Sequence, residues 1–173
     1  QNFAITVNPT PNVVDPVDQV VCGGSATNNV AFTGNVPNTV YTWTNSNTLT
    51  GLVSNGQGNI NSFITLSALV NPEVSTITVT PSYTNSITCT GASQIFTITV
   101  NPTPITNDPI DQVLCNGSST QAVNFTSSVN NSSYSWTNTN TTIGLGTSGN
   151  GPIPSFIAVN GTNIPQVATI TVT

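Results

Sequence analysis

The residues able to do chemistry are few. Three cysteines (Cys22, Cys89, Cys115) and five acids (Asp15, Asp18, Glu73, Asp108, Asp111) stand in a chain of 173 residues without Lys, Arg, His or Met. A Ser, Cys or Thr nucleophile needs a neighbouring base, and neither His nor Lys is present. Phosphoryl transfer needs a cationic clamp or a metal site built around one. Binding to nucleic acid or to anionic lipid rests on Lys and Arg. The expectation is therefore a protein that is not an enzyme, with no nucleic-acid partner. No apolar run approaches the ~20 residues of a membrane helix, so no membrane insertion is expected.

The thiols allow three readings. One is a disulfide, Cys22–Cys89, with Cys115 the counterpart of Cys22 and its own partner beyond the chain end. A loop of that length would stabilise a domain by roughly 4 kcal/mol, and a disulfide would imply an oxidising, extracellular location. The second is a metal site, for which the chain lacks His and Cys-x-x-Cys spacing. The third is a reactive thiol, for which it lacks a cation to lower the pKa. Four acids pair as Asp15 with Asp18 and Asp108 with Asp111 beside Pro-rich segments. Calcium at a domain junction could use them; turn and capping bonds are the plainer use. No cofactor is otherwise expected.

The two tryptophans pose a similar choice. Trp43 and Trp136 each follow a Tyr by two positions, Tyr41 and Tyr134. Residues i and i+2 of a strand share a face. These aromatics, with Phe32 and Phe125, are expected in the core. The alternative is a platform on which a surface glycan stacks.

What must position these residues is a repeat. Val7-Asn8-Pro9-Thr10-Pro11 returns as Val100-Asn101-Pro102-Thr103-Pro104, and Tyr41-Thr42-Trp43-Thr44-Asn45 as Tyr134-Ser135-Trp136-Thr137-Asn138. The offset is 93 throughout, and residues 1–80 laid on 94–173 without a gap give 44 identities. A period of that length suits an independent β-sandwich better than a solenoid unit of 20–50 residues. Phe3–Val7, Val30–Thr33, Val40–Thr44, Phe63–Leu66, Thr76–Thr80 and Ile95–Val100 alternate apolar with polar, the mark of half-buried strands. Gly, Asn and Pro clusters separate them. About seven strands per unit predict an all-β chain of tandem immunoglobulin-like sandwiches. The Asn-Pro-Thr-Pro segments read as stiff linkers. Residues 1–8 are then the last strand of a preceding unit, 9–101 a complete unit, and 102–173 a second unit lacking its last strand.

Cys22-Gly-Gly, Val30-Ala-Phe32-Thr, Tyr41-Thr-Trp43-Thr-Asn, Thr76-Ile-Thr-Val-Thr80-Pro, Cys89-Thr-Gly and Phe96-Thr-Ile-Thr-Val-Asn-Pro102 follow one another along the chain. This pattern resembles the PKD-like repeats of very large secreted surface proteins of Bacteroidetes, including gliding-motility adhesins. The resemblance implies a β-sandwich, export to the cell surface, many copies in one chain and no catalysis. The expected function is a stalk or filament module of an extracellular adhesin, its partners being copies of itself or adjacent repeats. Two alternatives remain: a carbohydrate-binding module, and a pilus-like subunit in which residues 1–8 complete the next molecule's second unit. The unpaired Cys115 counts against the last. The plainer expectation is that the chain is part of a longer one.

Overall fold

The computed structural model describes residues 1–173, which divide into two units, Gln1–Thr103 and Pro104–Thr173. The division falls two residues after the expected 101/102 boundary. The chain is all-β; its helical content is two single 3₁₀ turns, at Thr48–Thr50 and Thr141–Ile143. No helix is long and apolar enough to cross a membrane.

The first unit is built on β1 (Gln19–Cys22), β2 (Val40–Asn45), β3 (Asn55–Gln57), β4 (Glu73–Asn85), β5 (Ile87–Thr90) and β6 (Gln94–Asn101). They form one sheet in the order β1-β6-β4-β2-β3, with β5 folded back on the far half of β4. Alternation sets which face is buried. Ile77 and Val79 of β4 and Phe96, Ile98 and Val100 of β6 are essentially fully enclosed. They pack with Trp43 and, from outside the sheet, with Val13, Val30, Phe32, Leu52 and Ile60. Pro81, which has no N–H to give a ladder, sits in β4 where its neighbour changes from β6 to β5.

Two predicted strands, Val30–Thr33 and Phe63–Leu66, are not strands. Each is reduced to an isolated bridge, Val30 with Ile60 and Ile64 with Ala26. The reason is chemical. Side chains take the backbone partners that a ladder would use: Asn59 Oδ1 accepts from the Phe32 amide at 3.0 Å, and Asn29 Oδ1 from the Ser62 amide at 2.6 Å. Ser62 Oγ donates to the Thr27 carbonyl at 2.6 Å. Short polar side chains compete with sheet pairing in this way. The strand count is therefore six in the first unit rather than seven.

The second unit has three strands: β7 (Ser135–Asn138), β8 (Ser148–Asn150) and β9 (Ile170–Val172), in the order β8-β7-β9. They repeat β2, β3 and the middle of β4. Its core is Trp136, Leu145 and Ile153, with Val123, Phe125, Ile143, Phe156, Ile170 and Val172 partly buried around it.

The predicted strand Phe3–Val7 does not form. Residues 1–7 pair with nothing, and Phe3, Ile5 and Val7 are 89%, 80% and 87% exposed. A strand needs a neighbour, and this segment has none. The first Asn-Pro-Thr-Pro segment is not a free linker either. Pro11 is fully buried, and Asn8 Nδ2 donates to the carbonyls of Asn85 and Ile87 at 2.8 and 2.9 Å.

Candidate functional site

The cysteines do not meet. All three are free, Cys22 and Cys115 exposed and Cys89 half-buried. The expected Cys22–Cys89 bridge is overturned by strand register. Cys22 lies opposite Asn101 at the last residue of β6, level with the start of β4 at Glu73. Cys89 lies opposite Tyr83, ten residues further along β4. At ~3.3 Å per residue the two thiols are on the order of 30 Å apart, and a disulfide needs Cα atoms within about 7 Å. Replacing Cys22 and Cys89 together by Ser is therefore expected to leave unit stability within about 0.5 kcal/mol. The check is urea denaturation with and without reductant; a drop of several kcal/mol would restore the bridge.

The acids are not gathered. No group of three His, Cys, Asp or Glu side chains comes together. Asp18 spends its carboxylate on structure: Oδ1 accepts from the Thr97 amide at 2.6 Å, fastening the entry to β1 onto β6. Glu73, not singled out in the sequence, accepts from Asn47 Nδ2 at 2.7 Å. Asp15, Asp108 and Asp111 are exposed.

The aromatics are core residues. Trp43 and Trp136 are 6% and 7% exposed, which leaves no face on which a sugar could stack. Trp43 Nε1 donates to the Gly58 carbonyl at 3.1 Å, whereas Trp136 Nε1 is buried without a partner. Phe32 and Tyr41 pack with ring centroids 5.8 Å apart, and Phe125 and Tyr134 repeat the pair at 5.6 Å.

Two arrangements escaped sequence reasoning. The first is the Asn that ends each Tyr-x-Trp-Thr-Asn motif. Asn45 Nδ2 reaches the carbonyls of Asn47, Leu52 and Val53 at 3.0, 3.0 and 3.3 Å, and its Oδ1 takes the Asn47 amide at 3.1 Å. Asn138 does the same with Asn140, Leu145 and Gly146. Each clamps the 3₁₀ turn that follows. The second is a buried hydroxyl pair, Thr50 and Ser75, 2.6 Å apart and both within hydrogen-bond reach of the Asn47 carbonyl; with one hydrogen each, one donates to that carbonyl and the other to its neighbour. At the corresponding positions the second unit has Ile143 and Ala168. Both hydroxyls are lost together, so neither is left unpaired.

What remains is a mismatch of edges. In the first unit β4 is flanked by β2 and β6; in the second its counterpart β9 is flanked by β7 alone. Ile170 and Val172 are only half-buried there, while the matching Ile77 and Val79 are 0% exposed. The counterpart of β1, residues 112–115, is not a strand, and Val113 is 98% exposed. No known family matches the sequence, and no curated protein matches it.

Proposed function

We propose that the chain is a non-catalytic structural module, an immunoglobulin-like repeat of an extracellular stalk or filament whose task is to carry tension. The observation that carries this reading is the parallel pairing of β1 with β6, the first and last strands of the first unit, over Gln19–Cys22 and Ile98–Asn101. Tension applied through the two ends of the unit pulls parallel neighbours in opposite directions. All their hydrogen bonds are then loaded in shear at once, rather than opened one by one. The repeat at an offset of 93, with 44 identities between residues 1–80 and 94–173, and the resemblance to secreted adhesin repeats support the tandem, extracellular setting. The free cysteines lend that setting nothing.

The test is single-molecule stretching of the whole chain between surface handles. Unfolding of the first unit should release the 82 residues between Gln19 and Asn101 in one step, about 290 Å at ~3.5 Å per residue less the folded length. A force peak and a step of that size are expected. Gradual extension without a peak would sink the mechanical reading.

A further inference from the structure

We propose that the cleft between residues 14–19 and 28–33 of the first unit binds the side-chain ammonium of a lysine on another protein. The proposal goes beyond the structural reading and does not rest on it.

The cleft arises where a ladder fails to close. At one end the Val14 amide donates to the Thr33 carbonyl at 2.8 Å. Just beyond, Asn12 and Asn35 each accept the other's amide on Oδ1, at 2.7 and 3.2 Å. At the other end Gln19 grips Asn28, Oε1 taking its amide at 2.8 Å and Nε2 reaching its carbonyl at 3.2 Å. The two ends belong to one antiparallel register. The next ladder bond from Val14 would come from residue 16, but Pro16 has no N–H to give. Between the clasps the segments part around a cleft of about 250 Å³.

Its walls are apolar with acceptors set among them. Val14, Pro16, Val17, Val30 and Ala31 line it, and Asp15 is its one charged residue. Val30 spends both backbone groups on Ile60, at 2.8 and 3.0 Å. Neighbouring residues of an extended chain turn their backbone groups to opposite edges, so Asn29 and Ala31 direct their carbonyls at the cleft. Asp15 is exposed, and its carboxylate is not spent on the fold as those of Asp18 and Glu73 are.

These groups select the ligand. An ammonium offers three donors, which suits a carboxylate on one wall and carbonyls on the other; a guanidinium presents its donors in a single plane. The methylene stem of a lysine can lie along Val14 and Val17 while its charge stays at Asp15. Calcium takes about six to eight oxygens, more than one carboxylate and two carbonyls supply. A stacked sugar needs an aromatic face, and none lines the cleft. The cation must come from a different protein, because a second copy of this chain has no Lys, Arg or His to offer. The net charge of −5 favours such an encounter.

The second unit builds the same cleft. Asn107 donates to the Thr126 carbonyl at 2.9 Å, Gln112 grips Gln121 at 2.8 and 3.1 Å, and Pro109 stands between. Asp15, Pro16, Val30 and Thr33 return as Asp108, Pro109, Val123 and Thr126, and Val17 as Ile110. Asn29 and Ala31 return exchanged, as Ala122 and Asn124. Val17 and Ile110 stand 82% and 91% in solvent, so packing does not account for an aliphatic residue at that place in both copies.

The test is a chemical-shift titration of the whole chain with n-butylammonium, Nα-acetyl-lysine methylamide, n-butanol and calcium chloride. Both amines should shift Val14, Val17, Val30 and Ala31 saturably, the lysine derivative at least as tightly as butylammonium. Butanol should bind at least fivefold more weakly, and high salt should weaken the amines. Asp15→Asn should weaken the amines about fivefold at the first cleft, the scale of an exposed ion pair, and leave the Asp108 cleft unchanged; Asp108→Asn should do the converse. Both acids are exposed, so the variants keep their fold. Butanol binding as tightly as the amines, indifference to Asp15→Asn, calcium moving these residues where the amines do not, or no shift with any probe would each overturn the proposal. A cleft that takes butylammonium but excludes the lysine derivative would be a site for a small free amine, and would overturn it too. None of these outcomes bears on the force peak, so the two readings fail separately.

Discussion

Asn45→Asp should cost the first unit about 3 kcal/mol at pH 7, a large share of the 5–15 kcal/mol that usually separates a folded domain from its unfolded chain. The change replaces one NH₂ by one oxygen. In the native unit that NH₂ faces three carbonyls, of Asn47, Leu52 and Val53. A carboxylate oxygen in its place sets lone pairs against lone pairs, and the chain has no Lys, Arg or His to offset the charge. Asn45→Ala removes the same bonds without adding a charge, and about 1–2 kcal/mol is expected. The pH dependence follows from the sign of the shift. The ionised form is disfavoured in the folded unit, so the folded pKa of the introduced carboxyl lies above the unfolded value near 3.9. The deficit is full above the folded pKa and shrinks as pH falls through it, because a protonated carboxyl regains one donor. Urea denaturation followed by Trp43 fluorescence, in a Trp136→Phe background so that only the first unit reports, measures each value. Equal midpoints for Asn and Asp would show that the clamp contributes nothing.

That clamp marks a boundary of what the sequence made legible. The Tyr-x-Trp-Thr-Asn motif was visible as a repeated string, and the alternation of Tyr41 and Trp43 placed the indole in the core. The Asn at its end had no periodicity to betray it, because its partners are backbone carbonyls of the following turn. Strands β2, β4 and β6 were readable for the reason they are stable: Val40–Thr44, Thr76–Thr80 and Ile95–Val100 alternate, and their apolar faces meet. Val30–Thr33 and Phe63–Leu66 carry the same alternation, yet Asn29, Asn59 and Ser62 divert their backbone bonds. β-propensity reports fit to a pleated, half-buried surface and is silent about which partner arrives.

The cysteine error has the same root. Two cysteines per 93-residue period suggest a bridge, but whether they can touch is a matter of register, and a strand as long as β4 carries its two ends far apart. Residues 1–7 make the converse point. Their strand character was legible. That the segment stands free, with Phe3, Ile5 and Val7 in solvent and β9 open along one edge, is a property of the folded chain alone. The Thr50–Ser75 pair falls between these cases. Its replacement by Ile143 and Ala168 can be read by aligning the two copies, but only the 2.6 Å contact turns two separate differences into one joint change.

Gly56→Ala should destabilise the first unit by about 2–3 kcal/mol through a single methyl group. Gly56 lies opposite Trp43 in the β2–β3 pair. A Cβ there would collide with Cζ2 of the indole and stand 2.7 Å from Cε2 and 3.0 Å from Cη2. The ring cannot simply yield. It is 6% exposed, packed into the core, and held by its Nε1 bond to the Gly58 carbonyl. The clash is with the six-membered part of the indole, so a side chain without that part should admit the methyl. Trp43→Phe is destabilising by itself, through the cavity it leaves and the lost bond to Gly58. In that background, however, Gly56→Ala should cost less than about 1 kcal/mol, a coupling of at least ~1.5 kcal/mol between the two sites. Tyr41→Phe, on the same face of β2 but away from Gly56, should leave the cost of Gly56→Ala unchanged. Chemical denaturation followed by far-ultraviolet circular dichroism reads all the variants, including those without Trp43. Gly149 repeats the contact beneath Trp136, its Cβ likewise meeting Cζ2 and lying 2.7 Å from Cε2. The same cycle in the second unit should therefore return a coupling of the same sign. Strict additivity in both units would mean that the backbone, not the ring, requires glycine at these positions.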